Sequence, residues 1–140
     1  MEMEMKKSMK PRLFERDVIG ANVSLVIQFL LGIYINLYVE FPKSGPAAQW
    51  SFAWHSLPVA AHILLGTFIL LAGISTLVRS IRMKNRHWIT AASIAVAGVL
   101  MSVLGGERYV TTLNEIASYF MAVGFLTTLL ALNWGLYTAG

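Results

Sequence analysis

Hydrophobic positions along this chain form long unbroken runs rather than an alternation. No Asp, Glu, Lys or Arg occurs from Val18 to Val39, from Leu57 to Val78, from Trp88 to Gly106, or from Ile116 to the C-terminus. Each run reaches or nearly reaches the roughly 20 residues a helix needs to cross about 30 Å of hydrocarbon. Backbone in lipid must satisfy its own hydrogen bonds, which leaves helices or a closed barrel. Barrel strands are about 10 residues long and alternate in polarity, and these runs do neither. The pattern predicts four spans, at about 17–39, 57–79, 87–106 and 115–137. Short connections make successive helices antiparallel. The expected fold is an all-α integral membrane bundle, up-down-up-down, forming a single domain over residues 1–140.

Small and polar residues recur within the runs at steps of three and four. The third span carries Ala91, Ala95, Gly98, Ser102 and Gly105, and the fourth Ala117, Met121, Gly124, Thr128, Ala131 and Gly135. The second offers Val59, His62, Gly66, Ile69, Gly73 and Thr76, and the first Ser24, Gln28, Gly32 and Asn36. Small residues at this spacing let membrane helices approach closely, and polar ones on the same stripe hydrogen-bond across. Each helix therefore has a small-polar seam and a remainder facing lipid, and the seams are expected to meet in the middle.

The connections are less regular. In "EFPKSGPAAQWSFAWHS", residues 40–56, Pro42, Gly45 and Pro46 break structure before Trp50, Phe52 and Trp54. Tryptophan favours the membrane–water boundary, so this stretch reads as a short helix lying along the outer surface. Trp88 and Trp134 complete the belt at the other boundary. In "GGERYVTTLNE", Gly105 and Gly106 are expected to end the third helix, and Thr112 or Asn114 to cap the fourth. Glu40, Lys43, Glu107, Arg108 and Glu115 form a solvated rim of mixed charge. The first span has too long an apolar core for a cleaved leader, and the small-residue stretch "GPAAQ" comes well after it, so it is expected to be retained.

Composition agrees: 56% of the 140 residues are hydrophobic, 13% are charged, and mean hydropathy is +0.63. A soluble domain of this size needs more polar surface. Charge adds the orientation. Lys6, Lys7, Lys10, Arg12 and Arg16 precede the first span, and Arg79, Arg82, Lys84 and Arg86 join the second to the third. The other side has only Lys43 and Arg108, so nine of eleven basic residues share one face. The positive-inside rule makes that face, and both termini, cytoplasmic in a cell membrane. The same residues suit anionic lipid head groups. They do not suit nucleic acid, since no basic face with interleaved aromatics stands outside the membrane plane.

Candidate chemistry is sparse. The chain has no Cys, which removes disulfides, thiolate catalysis and Cys-based metal sites. Acyl-transfer motifs, phosphate loops and zinc signatures are absent, so a non-enzymatic role is expected. His62 is the exception, an imidazole inside an apolar run and on the seam. Near its depth lie Asn36 on the first span, Ser102 on the third and Met121 on the fourth. In the preferred reading His62 is a satisfied core residue, donating to a carbonyl, Asn36 or Ser102. In the alternative, His62 and Met121 face each other across the centre and ligate a haem b iron, with Asn36 and Ser102 beside it. His62 would be the metal ligand only in that case. His55, seven residues away on the same path, cannot share a metal with it from the opposite side. A gathering of His55, His62, Glu107 and Glu115 into an outer acid–base or metal site is a weaker option. No span carries a charge at mid-depth, which weighs against a transporter or channel.

The pattern "AHILLG", residues 61–66, resembles the haem-binding helices of small four-helix membrane cytochromes, the cytochrome b561 and haem A synthase groups. That resemblance covers one helix turn and implies His62 as a ligand. Those families pair histidines from different helices, and this sequence has no second intramembrane His. "GIYINLYVEFP", "HILLG" and "ASYFMAVGFL" together resemble small four-span proteins of prokaryotic membranes, which implies the fold and no chemistry. The expected function is that of an accessory subunit of a membrane complex, joined to other subunits or to itself, or of a small-ligand-binding bundle.

Overall fold

The computed structural model describes the backbone of residues 2–139 and the side chains of residues 14–138. Its elements are α1 (Glu2–Tyr38), α2 (Pro46–His55), α3 (Leu57–Met83), α4 (Arg86–Thr112) and α5 (Glu115–Ala139). Within them, Phe14–Tyr38, Leu57–Met83, Arg86–Thr112 and Glu115–Thr138 are long and apolar enough to cross a membrane. The side chains of Lys6, Lys7, Lys10 and Arg12, which enter the charge argument, lie outside those described.

Local chemistry sets the boundaries. Gly45, at φ 98°, turns the chain into α2, whose first residue is Pro46; proline at that position loses no helical hydrogen bond. Ser56 ends α2 and starts α3 in extended geometry, with Pro58 in the first turn of α3. The α3–α4 turn is two residues long. Lys84 is left-handed (φ 54°), and the Asn85 Oδ1 accepts a hydrogen bond from the Trp88 N–H at 3.3 Å. Leu113, also left-handed, closes α4, and the Asn114 Oδ1 accepts from the Ile116 N–H at 2.9 Å to open α5. Asn114 thus caps as expected. Gly105 and Gly106 do not end the preceding helix, which continues to Thr112. Their missing side chains serve contact: a Cβ on Gly105 would lie 2.9 Å from the Ala117 carbonyl oxygen and 3.0 Å from Met121.

The long helices form a ring in which α1 packs on α3 and α5, and α4 packs on α3 and α5. The seams meet in pairs rather than all together. Between α4 and α5, added Cβ atoms at Gly98, Gly105 and Gly135 would each come within about 3 Å of the neighbouring helix. The Thr128 hydroxyl donates to the Ala95 carbonyl at 3.1 Å, and the Ser102 hydroxyl to the Met121 carbonyl at 2.9 Å. Between α1 and α3, Gln28 lies against Gly66 and His62 against Gly32. Asp17 and Arg79 pair near the α3–α4 turn, and the Arg79 guanidinium stands 5.1 Å from the Phe14 ring centre.

Two apolar clusters fill the bundle at different heights. The lower, nearer the α3–α4 turn, includes Phe14, Val18, Leu25, Ile69, Trp88, Val99 and Leu132. Trp88 is 3% exposed, edge-on to Phe14 at 4.8 Å and seated over Gly135, so it is a core residue rather than a boundary anchor. Trp54 and Trp134 are exposed. The upper cluster joins Ile35, Ala53, Val59 and Val110. It is roofed by α2, which packs on α3 and α4. The Gln49 carboxamide, with its nitrogen toward α4, donates to the carbonyls of Val110 (2.8 Å) and Thr111 (3.1 Å). The outward faces carry exposed Leu30, Leu64, Leu71, Leu104 and Leu130.

Candidate functional site

Between the two clusters the bundle is not filled. A gap of about 430 Å³ remains among α1, α3, α4 and α5. Leu25, Ile69 and Val99 form its floor, and Ile35, Val59 and Val110 its roof. Phe29 of α1 and Phe125 of α5 stack at 4.6 Å between ring centres and 15° between planes. Both also line the cavity. The lining is mainly apolar and includes the carboxyl-bearing Glu107 but no Lys or Arg.

His62, Asn36, Ser102 and Met121 all line this cavity. Their roles differ. The Ser102 hydroxyl is committed to the Met121 carbonyl. The Met121 side chain packs toward α4, its Sδ 3.4 Å from where a Gly106 Cβ would stand. Asn36 is exposed and makes no side-chain hydrogen bond among the described residues. The His62 ring rests on α1, with Cε1 3.1 Å from the position of a Gly32 Cβ. Its Nδ1 is buried and has no hydrogen-bond partner.

Gln28, near the middle of the first span, is the side chain that meets the His62 backbone, in place of Asn36 or Ser102. Its Nε2 donates to the backbone carbonyl of His62 at 3.0 Å. That bond fixes the orientation of the amide, since a carbonyl oxygen only accepts. The Gln28 Oε1 is left buried and unpartnered. Two orphaned polar atoms thus belong to residues joined by one hydrogen bond. Leaving such groups unmade inside a protein costs about 1–3 kcal/mol each, and both side chains lie against the facing helix, His62 on Gly32 and Gln28 on Gly66. The signal was present in the sequence, as Gln28 is the strongly polar residue nearest mid-span on the first seam.

The remaining histidines stand apart. The His55 ring nitrogen Nδ1 is 2.7 Å from the Ser51 carbonyl oxygen on α2, and His87 sits edge-on to Trp134 at 6.5 Å. Among the described residues, no three His, Cys, Asp or Glu side chains converge into a metal-binding group, so the outer grouping of His55, His62, Glu107 and Glu115 does not form. The chain matches no known family model, no curated protein and no solved structure.

Proposed function

We propose that the chain is a multi-pass membrane protein that binds a small, mainly apolar ligand in the gap between its long helices. Both termini face the cytoplasm, and the helices run antiparallel. Large leucines exposed on every long helix support the membrane reading, because a soluble monomer rarely leaves so extensive an apolar surface. The binding reading rests on one observation: a mainly apolar cavity of about 430 Å³, lined by Phe29, Phe125, His62 and Gln28, between the two packed clusters. Concave, mainly apolar space of this size suits an apolar solute, and the few polar groups in the lining give it an orientation.

The test is fractionation followed by thermal denaturation in mild detergent with added 1,2,4,5-tetramethylbenzene. The protein should partition with membranes, and the additive should raise its melting midpoint by mass action. Recovery in the soluble fraction, or no stabilisation up to the solubility limit, overturns the proposal.

Haem b between His62 and Met121 is a second reading, favoured by their placement on opposite sides of one cavity. The lining works against it, since no Lys or Arg is present to hold propionates and Glu107 would repel them. Protein from haem-replete cells should be colourless. A Soret band lost in His62→Ala would establish the second reading instead.

A further inference from the structure

We infer that the ligand of the gap is an amphiphilic cation, a hydrocarbon body carrying an ammonium group held at the Glu107 carboxylate. This rests on the ligand-binding reading above and specifies the charge and length of what binds.

Charge defines the head. Glu107 lines the gap, and no Asp, Lys or Arg does. It is exposed, so its carboxylate is within reach of a bound molecule. Two contacts place that carboxylate. Its Oε1 is 3.4 Å from the Thr111 hydroxyl oxygen, which in turn accepts from the Trp50 indole N–H at 3.4 Å. Trp50 also lines the gap, so the carboxylate stands at the edge of the α2 roof. Among the described residues Glu107 has no ion-pair partner, and Arg79 with Asp17 pair at the opposite end of the bundle. The rim cations Lys43 and Arg108 do not line the gap. A carboxylate bordering apolar space attracts a cation and repels an anion, more strongly than it would in open water. A bare metal ion is a poorer fit, since no three His, Cys, Asp or Glu side chains converge among the described residues.

Depth defines the body. Val99 at the floor and Glu107 at the top are eight residues apart on α4, or about 12 Å of helix. The stacked rings of Phe29 and Phe125 border the space between. On the α1–α5 side, Ile33, Leu37 and Ala122 line the gap while remaining exposed, which opens it to hydrocarbon. An alkylbenzene of about this length, ending in one amine, fills the apolar part and brings its charge to Glu107.

Three compounds of one shape separate the possibilities: 4-butylbenzylammonium, 4-butylbenzoate and 4-butyltoluene. Their affinities for the purified full-length protein, in an uncharged detergent at neutral pH, follow from the rise of the melting midpoint with ligand concentration. Glu107→Gln should weaken ammonium binding about fivefold and strengthen benzoate binding by a similar factor, the scale of one partly exposed ion pair. The hydrocarbon should bind both proteins equally. Comparing each compound between two proteins cancels its partition into the micelle. Glu115→Gln, at a rim carboxylate outside the gap, should change none of the three. An ammonium affinity untouched by Glu107→Gln, or lowered equally by Glu115→Gln, overturns this inference, while continued binding of the hydrocarbon leaves the cavity reading standing. Binding of none overturns both.

Discussion

Thr128 and Thr127 are adjacent on α5 yet do different work. Thr127 donates only to the Val123 carbonyl of its own helix, at 2.8 Å. Thr128, 2% exposed, shares its hydroxyl between the Gly124 carbonyl at 2.8 Å and the Ala95 carbonyl of α4 at 3.1 Å. Replacing either by the isosteric Val removes one hydroxyl and little volume. Thr128→Val should cost about 0.5–1 kcal/mol of stability in a detergent unfolding assay, and Thr127→Val should cost much less. Equal effects would mean that the hydroxyl does not bridge the helices. At this scale the sequence was legible in kind but not in pairing. Depth counting offered Asn36 and Ser102 as partners of His62, because both lie near its level. Gln28 starts further from that end of the first span, and its longer side chain spans the offset to the residue 62 carbonyl. Ser102 was already taken by a backbone oxygen on α5.

Glycines discriminate sharply between elements. A Cβ at Gly98 would lie 2.5 Å from the Thr128 Oγ1 and 2.7 Å from the Gly124 carbonyl oxygen, whereas at Gly20 it would meet nothing within 4 Å. Gly98→Ala and Gly124→Ala should therefore each destabilise the protein by about 1–3 kcal/mol through overpacking. Gly20→Ala should leave stability unchanged or raise it by up to about 1 kcal/mol through helix propensity. Thermal unfolding of the three variants measures the difference, and a uniform response would mean that α4 and α5 are not seated in this register. The α4 and α5 seams could be read from spacing alone, because small residues every three or four positions mark a single face. Gly105 and Gly106 were misread as a stop, since glycine serves both helix ends and close contacts and only the facing Met121 decides which. Trp88 was misread as an anchor for a similar reason. A tryptophan beside charges looks interfacial until Gly135 and Phe14 supply a socket for it.

For the molecule as a whole, nine of eleven basic residues fall on one side of the predicted spans. A reporter fused at the C-terminus should be active in the cytoplasm, and one inserted after Ser44 should be active outside. An externally active C-terminal fusion would overturn the orientation and the even number of spans. The bundle itself was legible from uncharged run lengths. Which seam meets which was not, because a small-residue stripe marks which face is flat but not which neighbour it meets. The tightest meeting is between α4 and α5, where Gly98, Gly105 and Gly124 stand against backbone of the facing helix. Apolar side chains close the bundle below the gap, at the Phe14, Trp88 and Leu132 core, and above it, where Ile35, Val59 and Val110 meet. The side of the gap between α1 and α5 is more open, with Ile33, Leu37 and Ala122 exposed beside it. A molecule taken up there would enter and leave without parting the threonine and glycine contacts that hold α4 to α5.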